Sequence, residues 1–130
     1  MTVGRPVVLS GGDLYRLTCQ ACHRAEGTGF PPEIKSVLGL AQGSSLEIVR
    51  EHLQKEGTVA PGPTARAQAN RARDDLYQRI QKGGQRMPPF GHLQKPDIDA
   101  IYAYLTHLAG TPDAPPELRR TASWDRLGEL

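Results

Sequence analysis

The sequence has few cysteines, few aromatic side chains and no long hydrophobic run. Of its 130 residues only two are cysteines, 5% are aromatic and 38% are hydrophobic, which is little apolar mass for a self-sufficient core. No stretch is long and apolar enough to span a membrane, and the start of the chain does not read as a secretory leader. A formal net charge of +2 gives no global electrostatic argument for nucleic-acid binding. The composition therefore predicts one small soluble domain.

Both cysteines lie in one short motif, Cys19-Gln20-Ala21-Cys22-His23. On a helix, residues three and four apart share a face, so the two thiols can point the same way and the imidazole follows on the same turn. Thiols at this spacing can reach the two vinyl groups of a porphyrin as thioethers, and the histidine can direct a ring nitrogen at the iron. The motif therefore predicts a covalently attached haem.

Three other uses of this motif remain open from the residues alone. A redox-active dithiol would need a preceding strand and a βαβ pattern, neither of which the sequence shows. A closed structural zinc site needs four ligands, and the remaining histidines are scattered at His52, His92 and His107. A disulfide between Cys19 and Cys22 would close a loop too short to stabilise the chain much.

A second candidate iron ligand is Met87, in the run Met-Pro-Pro-Phe that follows the turn signal Gly83-Gly84. It lies 64 residues after His23. A methionine thioether is a soft ligand, and His/Met ligation raises the reduction potential of haem iron. The adjacent prolines restrict the backbone, so the sulfur can be held at a small entropy cost. An isolated methionine would favour an ordinary core role, but the upstream C-x-x-C-H motif favours ligation. His92 is an alternative sixth ligand.

Together these features resemble the class I monohaem c-type cytochromes, over residues 11–109. The resemblance is carried by the C-x-x-C-H motif, the stretch 24–32, the Met-Pro-Pro-Phe turn and the stretch 97–105. It implies an all-α fold in which the N- and C-terminal helices cross and helices and loops wrap around one covalent haem c. It also implies contacts between those two helices, through Gly11, Tyr15, Ile101 and Tyr104.

The resemblance also assigns the residues that hold the haem. It implies thioethers at Cys19 and Cys22 and axial iron ligation by His23 and Met87. In this family a proline carbonyl accepts the hydrogen bond from the other ring nitrogen of the histidine, which fixes its tautomer. That role is expected here of one of two adjacent residues, Pro31 and Pro32.

The function that the resemblance implies is one-electron transfer, by a carrier rather than an enzyme. The redox protein partner is expected to be a periplasmic dehydrogenase, with this chain as its cytochrome subunit or its electron acceptor. The alternatives are a free shuttle to a terminal oxidase, or a haem-based sensor or enzyme with a labile sixth ligand. We expect a monomer or a heteromeric complex, with no nucleic acid and no membrane span. The family attaches its haem outside the cytoplasm, so we expect a periplasmic or otherwise extracytoplasmic protein whose export signal is absent from this sequence.

The sequence outlines four helices and no strand. Helices are predicted over 12–21, from a capping box at Ser44-x-x-Glu47 to Gly57, over 65–82, and from Pro96 to Gly110. Residues 1–10 are expected to be irregular or extended, and 24–43 to form a loop. We expect a cytochrome domain at 1–110, with its core at 11–109, and a C-terminal extension at 111–130.

Two further segments are candidates for partner contacts. The stretch 66–86 is rich in arginine, which indicates either a solvated helix face or a docking patch for an acidic redox partner. Within it, Arg86 is a candidate partner for a haem propionate. The tail 117–130 is predicted to form a short helix carrying Leu118, Trp124 and Leu127, either folded back on its own domain or docked on a partner subunit.

Overall fold

The computed structural model describes residues 6–84 and 86–123, with side chains up to residue 121. Within these residues the chain forms six helices and two strands, in this order: β1 Pro6–Ser10, α1 Gly11–Thr18, α2 Gln20–His23, α3 Val37–Gly43, α4 Leu46–Lys55, α5 Pro61–Lys82, α6 Lys95–Leu108 and β2 Arg119–Ser123. The fold is mainly helical, as predicted, and a small sheet joins segments from the beginning and the end of the chain.

Helix α1 begins where Ser10 caps it. The Ser10 side chain accepts a hydrogen bond from the Asp13 N–H (3.1 Å), and the Asp13 carboxylate accepts one from the Ser10 N–H (2.9 Å). This reciprocal capping box pairs two backbone donors at the helix N-terminus. The predicted single helix over 12–21 is divided in two, because α1 ends at Thr18 and the chain turns at Cys19 before α2.

Helices α1 and α6 pack closely against each other. A Cβ at Gly11 would lie 2.1 Å from the Ala100 carbonyl oxygen, so only glycine permits this approach. The rings of Tyr15 and Tyr104 have centroids 5.3 Å apart. The predicted packing of Gly11 and Tyr15 against Tyr104 is therefore confirmed, and Ile101 is fully buried in the core.

The middle of the chain departs from the sequence prediction at two helix starts. The predicted loop 24–43 contains α3, whose N-cap is Ser36. The capping box predicted at Ser44 is wrong, because Ser45 caps α4 by accepting from the Ile48 N–H (3.2 Å). The Ser44 hydroxyl instead donates to the Ala41 carbonyl (2.7 Å), and Ser44 is itself the C-cap residue of α3.

The other two predicted helices form close to their expected places. Helix α5 begins at Pro61 rather than at residue 65, because proline suits the first turn of a helix. Helix α6 contains Pro96 in its first turn, and Asp97 forms a capping box with Gln94. Gly110, with φ +69°, follows its end as expected.

The expectation of no strand is wrong, because β1 and β2 pair in an antiparallel sheet. The register runs from Pro6 opposite Ser123 to Ser10 opposite Arg119. The predicted helix over 117–130 is therefore wrong for residues 119–123, which fold back on the rest of the chain. Trp124 and Leu127 lie outside the described residues.

The hydrophobic core lies where α1, α5 and α6 meet. Its fully buried members include Leu14 and Tyr15 from α1 and Ile98 and Ile101 from α6. Leu76 and Ile80, one turn apart on α5, complete the same cluster. In the part of the chain that the structure describes, no helix has the length and apolar character needed to cross a membrane.

Candidate haem site

The C-x-x-C-H motif consists of Cys19, which separates α1 from α2, and the single turn of α2 itself, Gln20–His23. Cys19 follows the last residue of α1 and caps α2, and its carbonyl accepts hydrogen bonds from the N–H groups of Cys22 (3.3 Å) and His23 (3.0 Å). This geometry places both thiols and the imidazole on one turn, as the spacing predicts. The arrangement suits a planar ligand attached at two points and coordinated at a third.

The two thiols are free and differ in their surroundings. Cys19 is buried and Cys22 is exposed, and no disulfide joins them. Burial raises the pKa of the Cys19 thiol, an effect that the Thr18 hydroxyl at 3.2 Å from its sulfur partly offsets. Cys19 is thus held as a neutral thiol at the edge of the core.

The alternative uses of the motif find little support in the geometry. The small sheet is antiparallel, whereas a thioredoxin-like dithiol belongs to a βαβ unit. Among residues 6–84 and 86–123, no three His, Cys, Asp or Glu side chains come together as a possible metal cluster.

The His23 ring is held by one backbone carbonyl. Its Nδ1 lies 3.1 Å from the carbonyl oxygen of Lys35. Because a carbonyl only accepts, this contact keeps the proton on Nδ1 and leaves Nε2 as the nitrogen with a lone pair for iron. The hydrogen bond also orients the ring and raises its basicity.

The acceptor is not the predicted proline carbonyl. Residues Phe30 and Ile34 form an isolated antiparallel bridge, and the turn between them carries Pro31 and Pro32 outward as exposed residues. The bridge returns the chain so that the next carbonyl, that of Lys35, lies beside the imidazole. The assignment of this hydrogen bond to Pro31 or Pro32 is therefore wrong, while their contact with haem stays a prediction.

The segment after His23 is fixed on both sides. The Tyr15 hydroxyl donates to the Arg24 carbonyl (2.6 Å), and the Gly29 N–H donates to the His23 carbonyl (3.0 Å). Burial is the main reason that the pKa of Tyr15 is raised to about 12. A neutral, buried tyrosine thus holds the turn that presents the histidine.

Met87 is positioned by the turn after α5. The Gly84 N–H donates to the Met87 carbonyl (3.0 Å), and the Phe90 N–H donates to the Ile80 carbonyl (2.9 Å). Gly83 has φ +75°, and a Cβ there would lie 2.5 Å from the Met87 carbonyl oxygen. The half-buried Met87 side chain packs against the core cluster that includes Cys19.

Two neighbouring candidates lie at the surface. Arg86 and His92 are both exposed. The His92 ring lies beside Phe90, with centroids 6.0 Å apart. Their predicted roles, a propionate partner for Arg86 and an alternative iron ligand for His92, stay predictions.

Three residues of this site were missed from the sequence. The Lys35 carbonyl carries no signal in a side-chain pattern, because any residue type supplies a backbone oxygen. The hydroxyl of Tyr15 was assigned only to helix packing, although it also holds Arg24. Gly29 did carry a signal, since glycine marks positions of unusual backbone geometry, and its φ is +65°.

The donor set fits a covalently attached haem. Two free thiols stand three residues apart, a histidine offers Nε2, and large apolar side chains are left half exposed: Leu17 at 51%, Phe30 at 52% and Leu40 at 47%. This combination defines a c-type cytochrome, with one haem c bound through thioethers.

The comparison with protein families agrees with this class. The chain belongs to the family described as cytochrome c oxidase, cbb3-type, subunit III, whose model matches residues 6–105. No curated protein and no solved structure matches the chain. Family and motif together establish a monohaem c-type cytochrome whose function is haem-based electron transfer.

Proposed function

We propose that this chain is a six-coordinate, class I electron carrier in which His23 and Met87 are the axial iron ligands. The observation that carries the proposal is the hydrogen bond from His23 Nδ1 to the Lys35 carbonyl, 3.1 Å long, which leaves Nε2 with the lone pair that a metal can accept. The position of Met87 is compatible with it, because its half-buried side chain packs against the hydrophobic core rather than pointing into solvent. The crossing of α1 and α6 at Gly11 supports the class I arrangement.

In this proposal each residue has a separate task. Cys19 and Cys22 prevent loss of the haem by covalent attachment. His23 stabilises ferric iron through a basic imidazole, and the Met87 thioether favours ferrous iron. The haem supplies the one-electron ferric–ferrous couple. Because both axial positions are filled by the protein, no substrate needs to bind and the carrier changes little between oxidation states.

The proposed partner is a dehydrogenase outside the cytoplasm, with this chain as its cytochrome subunit or its acceptor. The Met-Pro-Pro-Phe-Gly turn, residues 87–91, favours this partner through its resemblance to cytochrome domains attached to such enzymes. The second candidate is a terminal oxidase, because the description of the matching family names an oxidase subunit.

Helix α5 and the turn after it offer a surface for such a partner. Among the described residues, five of its basic side chains form no ion pair with a carboxylate; they are Arg66, Arg71, Arg79, Lys82 and Arg86. Arg73 differs from them, because its guanidinium lies over the rings of Tyr77 and Tyr102, 5.4 and 5.0 Å from their centroids, and interacts with Asp99. Asp74 and Asp75, on the same helix, form no ion pair with them either. Unpaired surface cations accelerate encounter with an acidic protein at low ionic strength. The partner is therefore expected to present an acidic face to this surface.

The visible spectrum of the haem-loaded protein tests the ligation. We expect a weak far-red band from a methionine–ferric bond, and resistance of the reduced protein to carbon monoxide. Met87→Ala should abolish the band and admit carbon monoxide, whereas His92→Ala, the matched control, should leave both unchanged. A wild-type protein that lacks the band contradicts Met87 ligation. Loss of a low-potential bis-histidine spectrum in His92→Ala would assign the sixth ligand to His92.

A further inference from the structure

The start of α6 is held by a side chain from the opposite end of the chain. Asp97, which is fully buried, accepts a hydrogen bond from the Gln94 N–H (2.8 Å) within the capping box. Arg120 donates from Nε to the Asp97 carboxylate (3.1 Å) and from Nη2 to the Gln94 side-chain oxygen (3.2 Å). One guanidinium thus donates hydrogen bonds to both residues of the α6 capping box.

The position of Arg120 is set by the sheet. In the β1–β2 register Arg120 lies opposite Leu9, which is buried in the core. The Arg120 side chain is itself largely covered, with 26% of its surface exposed. The strand already restricts the Arg120 side chain. Pairing with the buried Asp97 carboxylate therefore costs it less side-chain entropy than the same pairing costs a mobile surface arginine. Removing one partner of this pair should therefore cost more than breaking an ordinary surface ion pair, because it leaves a buried charge with less compensation.

Arg120 bonds to residues at the end of the turn that carries Met87, residues 87–94. Gln94 directly follows Leu93, which is buried and donates from its N–H to the Phe90 carbonyl (3.0 Å). At the start of the turn the Gly84 N–H donates to the Met87 carbonyl (3.0 Å), and in its middle the Phe90 N–H donates to the Ile80 carbonyl of α5 (2.9 Å). Residues 87–94 are therefore held from two sides, by α5 and by the capped start of α6.

We propose that Arg120 is a positioning residue for the sixth iron ligand. By fixing Asp97 and Gln94 it anchors the end of the turn that delivers Met87, so the C-terminal extension controls how firmly methionine stays bound. This inference rests on the proposed ligation by Met87. Removing the guanidinium leaves the buried Asp97 carboxylate with less compensation and loosens the first turn of α6.

Competition with imidazole measures this control. In the oxidised, haem-loaded protein, imidazole displaces methionine and the far-red band disappears. We expect Arg120→Ala to lower the half-displacing imidazole concentration by about tenfold, which corresponds to about 1.4 kcal/mol. The matched control is Arg119→Ala, which removes the same charge from an exposed neighbour on the same strand and should change nothing. Arg120→Lys should lie between them, because lysine keeps the charge but not the two-pronged contact.

Amide hydrogen exchange supplies a readout independent of the iron. Arg120→Ala should speed exchange at Asp97 and Ile98, whose N–H groups bond to the Gln94 carbonyl, while that at Leu53 in α4 stays unchanged. If Arg120→Ala does not fold, Gln94→Ala is the alternative variant. It removes only one of the two hydrogen bonds that Arg120 donates, and it should lower the half-displacing imidazole concentration by a smaller factor. A folded Arg120→Ala variant with an unchanged half-displacing imidazole concentration overturns the role of Arg120 and leaves ligation by Met87 standing. Absence of the band in the unmodified protein overturns Met87 ligation, and the inference with it.

Discussion

Gly29 occupies the tightest point of the loop that follows the haem motif. Its φ is +65°, and a Cβ there would lie 2.5 Å from the Ile34 carbonyl oxygen and 2.7 Å from that of Lys35. The Lys35 carbonyl is also the acceptor for His23 Nδ1. A side chain at Gly29 would therefore push away the group that orients the proximal imidazole.

We predict that Gly29→Ala raises the reduction potential and lowers stability. Losing the hydrogen bond makes His23 less basic, which favours ferrous iron. At 59 mV per tenfold change for one electron, a hydrogen bond of about 1 kcal/mol corresponds to a rise of about 40 mV. The measurement is a spectroscopic redox titration combined with thermal unfolding.

Gly110→Ala is the matched control for this change. Gly110 has a similar φ, +69°, but no atom lies within 4 Å of a Cβ built there. It should therefore lose stability through backbone strain alone, about 1 kcal/mol, and keep its potential. Equal potentials in both variants would show that the Lys35 carbonyl does not tune the iron.

One buried and one partly buried tyrosine make stability depend on alkaline pH. Burial is the largest cause that raises the pKa of both Tyr15 and Tyr77 from 10.0 to about 12. Their neutral forms are favoured in the folded state, so this stabilisation is complete below about pH 10 and is lost as the pH rises toward 12. We predict a falling free energy of unfolding across this window, with a shallower slope in Tyr15→Phe. An unchanged slope would show that Tyr15 has the same pKa in the folded and the unfolded state.

The sequence points to the side chains of the candidate haem site, but not to its backbone contacts. The sequence identifies Cys19, Cys22 and His23 as candidates, because their chemistry depends on residue type and spacing. The Lys35 carbonyl could not be identified, because its role comes from the path of the chain through the Phe30–Ile34 bridge. The resemblance suggested a proline carbonyl, and the turn placed the prolines elsewhere.

Among the helices and strands, local signals were read more successfully than distant ones. The last helix was predicted because proline and aspartate mark its first turn and Gly110 its end. The α4 cap fell on Ser45 rather than its neighbour Ser44, a choice that depends on contacts with Tyr102 and Asp113 from other elements. The β1–β2 sheet was missed because each strand is five residues long and finds its partner only after the chain has folded.

The turn that joins α5 to the methionine segment gives a prediction of its own. Gly83 has φ +75°, and a Cβ there would clash with the Met87 carbonyl oxygen at 2.5 Å. We expect Gly83→Ala to displace the Met87 backbone and to weaken or abolish the far-red methionine band. The visible spectrum of the oxidised protein measures this.

Gly57→Ala is the control that distinguishes a steric clash with the Met87 backbone from backbone strain at a positive φ. Gly57 has φ +85° at the end of α4, and a Cβ at this position would have no atom within 4 Å. This control should lose about 1 kcal/mol of stability and keep the band at full strength. A full band in Gly83→Ala as well would mean that the turn can shift without moving the methionine sulfur.

In the part of the protein that the structure describes, several large apolar side chains lie outside the buried core. Large apolar side chains stay about half exposed around the haem motif and α3, namely Leu17, Phe30 and Leu40. Hydrophobic burial is the main force that offsets conformational entropy, and a small domain has little to spare. A covalently attached haem would add a large apolar surface to this core.

We therefore predict that the chain folds cooperatively only with its haem. The variant Cys19→Ser/Cys22→Ser cannot form thioethers and, expressed without haem, should show no cooperative thermal transition and no fixed near-ultraviolet circular dichroism. The haem-loaded wild type should melt in one sharp step. Gly39→Ala, where no atom lies within 4 Å of a Cβ, controls for substitution itself and should melt like the wild type. A cooperative melt of the haem-free variant would show that contacts such as the α1–α6 crossing suffice, and that the haem occupies a fold already formed.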